Sequence, residues 1–337
     1  MATIRDVARR AGVSSSTVSL TFSDASRVSE ATARKVRKAA EELSYRPNPL
    51  AQSLKRGRSN LIGILVGDLS NPFFGNLLKE VNDLAKQAGY NVIVAESEAD
   101  PTQEIAILRH LASQRIGGIL LFPYGKGADY VDALQDLNIP IVTLDNKVEK
   151  GSFDFVCSNH RLAASMLTKH LLSLGHRRIT HISGPPHIWS ASERSEGFKS
   201  TIQTAGIISP DIVNGEYTAD AAYAETMKLM TRTDRPTAIL AANNVMALGC
   251  LAALKDLALK CPEDISIATI DSVPWNSVID PSLTVVEQDL AKLASYAASY
   301  LFARIENAEM TLSQPKETIL TPRLAVGNST MDIKKTP

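Results

Sequence analysis

The chain has 337 residues, 36 Lys and Arg against 36 Asp and Glu, and three cysteines. That length exceeds what one hydrophobic core usually fills, so two or three domains are expected. No apolar run approaches the ~18 residues that cross a bilayer, Cys157, Cys250 and Cys261 lack any CxxC spacing, and no secretory leader opens the chain, so a cytoplasmic protein with reduced, buried thiols is expected.

The balanced total conceals an asymmetry. Residues 1–60 hold twelve Lys and Arg but five acids, and the remainder holds 24 against 31. A basic end on an acidic body is the electrostatic footprint of phosphate binding at that end. The same stretch carries helix-turn-helix grammar. Thr3 caps a first helix, with Asp6 near its N-terminal dipole, and Ile4, Val7, Ala8 and Ala11 repeat at helical spacing. Gly12 supplies a turn that tolerates positive φ. Ser14 caps a second helix whose apolar positions are Val18 and either Leu20 or Phe22. The second helix of such a motif enters the DNA major groove. A third helix follows, capped by Ser29 and lined by Ala33, Val36, Ala40 and Leu43.

Pro47 ends that helix, and Asn48-Pro49 starts another of about two turns, which is marginal alone in water. This reads as a hinge that folds only against a partner. From Leu61 the pattern changes. Apolar runs at 61–66, 91–95, 118–122, 139–144, 153–157, 178–183, 212–217, 238–241 and 265–270 alternate with helix-length amphipathic segments. Such alternation argues for parallel sheets covered on both faces. Nine strands are too many for one compact sheet of this kind, so two doubly wound lobes are expected, with a border near Asn159 and a ligand cleft between them. The expected fold is an all-α helix-turn-helix head on an α/β core of two parallel-sheet lobes. Its divisions are a head at 1–47, a hinge at 48–60, a first lobe at 61–159 with 290–318, and a second at 160–289 with 319–330. Residues 331–337 are expected to fray. No internal repeat is legible.

An enzyme is not expected. The six histidines show no HExxH spacing, and GxGxxG, Walker and GxSxG motifs are absent. No catalytic residue, metal or cofactor is assigned. His176 sits where a helix-terminal cation would be ordinary.

The chain resembles the lactose/galactose repressor (LacI/GalR) family of bacterial transcription regulators over nearly its whole length. The resemblance rests on Ile4-Arg5-Asp6-Val7-Ala8, Ala11-Gly12-Val13-Ser14 and Thr17-Val18-Ser19 in the head, and on Tyr45-Arg46-Pro47-Asn48 and Ala51-Gln52-Ser53-Leu54 in the hinge. In the core it rests on Asn71-Pro72-Phe73-Phe74, Leu174-Gly175-His176-Arg177, Asn243-Asn244-Val245-Met246-Ala247 and Pro281-Ser282-Leu283-Thr284-Val285. It implies lobes like those of type I periplasmic binding proteins. It also implies a homodimer, a near-palindromic double-stranded DNA operator, no membrane partner, and a small-molecule effector. A free-standing solute-binding protein would share the core but lack the head.

The resemblance implies roles for particular residues. Ser15, Ser16 and Leu20 would read bases in the major groove, and Leu54 would wedge into the minor groove. Leucine at position 20 departs from the polar reader common in relatives; it either touches a thymine methyl or packs against Phe22. Thr3, Ser14, Thr17, Arg27 and Lys55 would contact phosphates. In the cleft, Phe73 would stack on a ring, Arg194 would fork onto hydroxyls or a carboxylate, and Asn243, Asp271 and Gln288 would fix hydroxyls, with Trp275 as a wall. The plainer readings are that Phe73 belongs to the core, Arg194 pairs with Glu193 or Glu196, and Asp271 caps the next turn. Ile188 stands where purine-binding relatives carry an arginine, which favours a sugar, polyol or sugar acid over a purine or nucleoside. Repression is expected, with activation as the alternative. Lobe closure would swing about crossovers near Asn159, Asp289 and Thr318 and alter hinge spacing. No leucine-repeat tail follows Arg323, so a dimer is expected rather than a tetramer.

Overall fold

A computed structural model describes residues 2–23, 27–45, 59–148, 153–307 and 314–334. The chain divides into two compact units, residues 1–60 and 61–337.

The first unit contains α1 (Ile4–Ala11), α2 (Ser15–Ser23) and α3 (Glu30–Glu42). Each start is fixed by a side chain that accepts an otherwise unpaired backbone N–H. Thr3 and Asp6 form a reciprocal capping box, with Asp6 N–H donating to Thr3 Oγ1 at 3.4 Å and Thr3 N–H to Asp6 Oδ2 at 2.9 Å. Ser14 Oγ accepts from Thr17 N–H at 3.1 Å, and Ser29 Oγ from Thr32 N–H at 3.4 Å. Gly12 ends α1 at φ 68°, where nothing would touch an added Cβ; glycine is there for the backbone angle, not for space. Val7, Ala8, Val18, Val36, Ala39 and Ala40 form the buried core, with Phe22 and Tyr45 packed against it.

In the second unit the sheets hold twelve strands among the described residues: β1 (Leu61–Val66), β2 (Asn91–Glu96), β3 (Gly118–Leu121), β4 (Ile141–Leu144), β5 (Asp154–Ser158), β6 (Ile179–Ser183), β7 (Asp211–Asn214), β8 (Ala238–Ala241), β9 (Ser266–Ile270), β10 (Thr284–Glu287), β11 (Glu317–Leu320) and β12 (Arg323–Ala325). The nine strands expected from apolar runs are present within a few residues. β10, β11 and β12 were not expected; β11 and β12 are three or four residues long and half exposed at sheet edges, whereas β10 is a buried interior strand.

The strands form two six-stranded sheets, ordered β11-β5-β4-β3-β1-β2 and β12-β10-β9-β8-β6-β7. The first sheet is parallel throughout, and in the second only β12 runs antiparallel. The two orders match position by position, an internal duplication that residue identities do not disclose. Helices cover both faces of each sheet. α4 (Pro72–Gln87) and α11 (Leu290–Glu306) pack on one face of the first, and α5 (Pro101–Ser113) and α6 (Ala128–Gln135) on the other. β1 shows why: Ile62, Ile64 and Val66 point into one core and Leu65 into the other. On the second sheet, α7 (His160–Ser173) and α8 (Trp189–Thr204) oppose α9 (Ala219–Met230) and α10 (Asn244–Asp256).

The chain passes between sheets at Asn159, which N-caps α7, and at Asp289, which N-caps α11. The third passage, expected at Thr318, lies at Thr321-Pro322, because β11 stays paired with β5 through Leu320. Three other expectations need correction. Residues 331–334 do not fray: Met331 N–H donates to Ser266 Oγ at 3.1 Å and Ile333 N–H to the Leu174 carbonyl at 3.0 Å. His176 is not a helix-end cation; it is fully buried against Thr237, and burial holds its imidazole below the usual range and therefore neutral at pH 7. Arg194 does not pair with Glu193, whose carboxylate takes Arg161 at 3.1 Å.

Candidate functional sites

The first site is the surface of α2. Its nine residues carry no charge, and the helix buries Val18 and Thr21 at i and i+3 toward the head core. Ser16 is therefore exposed, with Ser15, Thr17 and Leu20 half-buried beside it. Leu20 is not among the side chains packed onto the head core, whereas Phe22 is, its ring 6.2 Å from Tyr45. Thr3 and Ser14 spend their hydroxyls as caps yet remain exposed, and Arg27 is exposed. Leu54 and Lys55 lie outside the described residues.

The second site is a cleft between the two sheets, built from residues at the carboxyl ends of their strands, where doubly wound sheets collect polar groups. Of the sequence candidates, Phe73, Arg194, Asn243, Asp271 and Gln288 converge there. Trp275 does not. It is 43% exposed in the turn after Asp271, because the chain turns back at Trp275, whose carbonyl accepts from Val278 at 3.0 Å. Asp68, Phe74, Tyr124, Asp145, Asn146 and Tyr217 also line the cleft and were not foreseen. The signal available for them was position, since most follow a strand end within a few residues. The cavity they enclose is about 70 Å³, well below the several hundred Å³ of a small-ligand pocket, so a ligand needs more room than this arrangement of the lobes leaves.

Phe73 belongs to the core, its plainer reading, and also borders the cleft. It follows the Asn71 cap of α4, is 7% exposed, and packs edge-on to Phe74 at 5.2 Å within the core while bordering the cleft. Asn243 is committed as a cap as well: its Oδ1 accepts from Met246 N–H at 2.8 Å.

Asp145 and Asp271 occupy equivalent places after β4 and β9. Both have left-handed backbones, φ 62° and 66°, and each N–H donates to the neighbouring strand, to Val156 and Val286. A non-glycine residue held there is strained, which is common where a side chain must be aimed. Gln288 donates its amide to both Asp271 oxygens, at 3.0 and 3.2 Å, rather than leaving Asp271 to cap the next turn. That leaves Gln288 Oε1 buried with no hydrogen-bond partner among the described residues. Burial pushes the Asp271 carboxyl up to about 6, against the opposing pull of Arg194 and Gln288.

Arg194 is buried in α8. It donates to the Ala242 carbonyl and, at 3.3–3.4 Å, to His160 Nδ1. An arginine has only donors, so Nδ1 must accept, which puts the His160 proton on Nε2, where it donates to the Asp145 carbonyl at 3.1 Å with Asp145 Oδ1 equally near. Burial would raise Asp145, but His160 and Arg194 outweigh it and hold the carboxyl below its ordinary range. The lobes also share a cap. The N-cap of α8 is Ile188, whose side chain cannot cap, and Asn146 of the first lobe accepts from Ser190 N–H at 3.0 Å instead. Trp189 stacks edge-on against Phe155 and His160 beside this contact.

Among the described residues, no cluster has the composition of a metal site, and no helix is long and apolar enough to cross a membrane. Burial raises the Cys250 and Cys261 thiols to about 12, far from a reactive thiolate.

Residues 3–48 match the bacterial regulatory proteins, lacI family, and residues 168–330 match a periplasmic binding protein-like domain. An HTH-type transcriptional repressor PurR from Photobacterium profundum is 31% identical, covering 99% of this chain and 100% of its own. The crystal structure of the lac repressor dimer bound to operator and the anti-inducer ONPF matches with a TM-score of 0.85 at 27% identity, over 98% of this chain and 99% of that one. A LacI family transcriptional regulator from Enterococcus faecium with bound ribose matches at 0.72 and 26% identity, over 81% of this chain and 99% of that one.

Proposed function

Because the chain belongs to the lacI family of bacterial regulatory proteins, DNA-binding repressors controlled by small-molecule effectors, we propose that its effector is a neutral sugar or polyol held in the interlobe cleft. The observation that carries this is the hydrogen-bond inventory of the cleft wall. Asp68, Asp145 and Asp271 bring carboxylate acceptors, and Gln288 has spent its donors and keeps an unpartnered Oε1. The cation among them, Arg194, is already engaged by a carbonyl and His160. Such a wall calls for a ligand rich in hydroxyl donors and repels an added anion, which disfavours a sugar acid. A purine or nucleoside is the second reading, favoured by the aromatic Phe73, Phe74 and Tyr124 on which a flat base could stack.

On the DNA side, we infer a homodimer on a near-palindromic operator; the similar lac repressor is a dimer bound to operator. Ser15, Ser16 and Leu20 face bases, Thr3, Ser14, Thr17, Arg27 and Lys55 face phosphates, and Leu54 enters the minor groove. The exposure of Ser16 and the absence of Leu20 from the head core support this placement. Effector-driven movement of one lobe against the other would act at contacts between the lobes such as Asp145–His160, Asn146–Ser190 and Phe155–Trp189. Coupling of roughly 1–3 kcal/mol is typical of such switches.

The test is thermal stabilisation by a panel of neutral sugars and polyols, sugar acids, and purines. A ligand at 100 times its Kd adds about 2.7 kcal/mol. Stabilisation by a neutral sugar is expected; stabilisation by purines or sugar acids alone would overturn the assignment.

A further inference from the structure

Glu104 is fully buried on the first turn of α5, a position where an apolar side chain would be expected. Among the described residues it has no cationic partner, and its carboxylate takes neutral donors. Tyr124 N–H donates to Oε2 at 3.1 Å, Gly125 N–H also donates to the carboxylate, and the Tyr130 hydroxyl from α6 donates to Oε1. All but the last come from the segment that follows β3, and that segment carries Tyr124 to the cleft.

Two close approaches hold the same segment from other sides. A Cβ at Gly125 would lie 2.1 Å from the Tyr130 ring, and a Cβ at Gly67, just after β1, would lie 2.4 Å from the Tyr124 ring. Glycine at both places lets the rings rest directly on backbone. The second lobe repeats the device, with Gly184 just after β6 lying under the Tyr217 ring, where a Cβ would come within 2.3 Å. Each lobe therefore seats one cleft tyrosine on a glycine at the end of its equivalent strand.

We propose that Glu104 is a positioning residue that fixes the Tyr124 ring as the first-lobe wall of the effector cleft, acting through the backbone of residues 124–125 and the Gly67 seat. An uncompensated buried carboxyl is costly, and here burial lifts the group to about 7. A core position with only a packing duty would be better served by leucine; the carboxylate is explained by the loop donors it collects. The inference rests on the reading that the effector lies in this cleft.

The test uses the full chain labelled with 3-fluorotyrosine, with the Tyr124 resonance assigned by its loss in Tyr124→Phe. Glu104→Gln keeps an acceptor and should leave the resonance in place. Glu104→Ala and Gly67→Ala should shift or broaden it, and Tyr130→Phe, which opens no comparable cavity, should shift it partly. If the Ala variant of Glu104 does not fold, Gly67→Ala and Tyr130→Phe carry the comparison. An unchanged Tyr124 signal in the folded variants overturns the proposal. Ribose titrated by calorimetry supplies the second readout: affinity should fall roughly tenfold in Glu104→Ala and recover in Glu104→Gln, as expected for loss of an oriented wall worth about 1.4 kcal/mol. Equal affinity in both variants also overturns it. Failure of the wild-type chain to bind any sugar would sink the effector assignment, and the fluorine signal alone would then decide the role of Glu104.

Discussion

Replacing Asp271 by asparagine should convert a pH-dependent cost into a constant one. Burial raises the Asp271 carboxyl from 3.8 to about 6, with Arg194 and Gln288 pulling the other way. A carboxyl raised in the folded state binds its proton more tightly there than in the unfolded chain. Its contribution is fully present below about 3.8 and is lost as pH rises through about 6. The whole shift is roughly two units, or about 3 kcal/mol. Roughly half of that, ~1.4 kcal/mol, falls between about pH 5 and pH 8. Asparagine has nearly the same shape and does not ionise. The stability of Asp271→Asn relative to wild type should therefore climb by about 1.4 kcal/mol across that interval, or roughly 3–5 °C in Tm for a unit of this size. Effector-free protein would be melted at half-unit pH steps, and only the difference between the two proteins used, so that every other titrating group cancels. A difference that stays flat, or falls as pH rises, would refute the argument that burial dominates at this site. The same variant should weaken the response to sugar, since the amide keeps only one of the two acceptor oxygens that Asp271 offers the cleft.

Arg304→Ala should be among the most damaging substitutions in the core. Arg304 grips Asp154 through two bonds of 2.8 Å, and Asp154 is 2% exposed, so the variant leaves a buried charge largely uncompensated at about 3–5 kcal/mol. A denaturant midpoint shift worth under ~1 kcal/mol would contradict this. Thr3→Ala breaks the capping box with Asp6 and should cost the head about 1 kcal/mol, seen as a lower melting midpoint of its helical circular dichroism; an unmoved midpoint counts against the cap. Leu54→Ala should sharply weaken binding to a specific operator while sparing binding to random DNA, measured by fluorescence anisotropy at one salt concentration. Equal losses on both would remove Leu54 from the wedge role.

Much of the architecture was legible because it is set by short-range effects. Capping serines and threonines, the Gly12 turn and the spacing of Val7, Val18 and Val36 declare the head without reference to anything distant. The β-branched runs likewise declare the buried strands. The short edge strands β11 and β12 escaped notice because a few half-exposed residues carry little periodic signal. Phe73, Arg194, Asn243, Asp271 and Gln288 reached the cleft as expected, whereas Trp275 stayed in an exposed turn, since residue type alone does not say which way a loop folds back.

The sequence by itself determined that a basic helix-turn-helix head precedes a two-lobed α/β core, since local caps, periodicity and charge suffice for that. Only the tertiary structure decided what the cleft is made of. Asp145, His160 and Arg194 become neighbours because β4 ends, and α7 and α8 begin, at the same rim, and Asp68 and Asp271 line one cleft across some two hundred residues of chain. The duplication of strand order, the left-handed aim of Asp145 and Asp271, and the burial of Glu104 beneath Tyr124 are likewise products of packing. Burial and hydrogen-bond partners are properties of the folded neighbourhood, and those properties, rather than residue identity, set which acceptors remain free for a ligand.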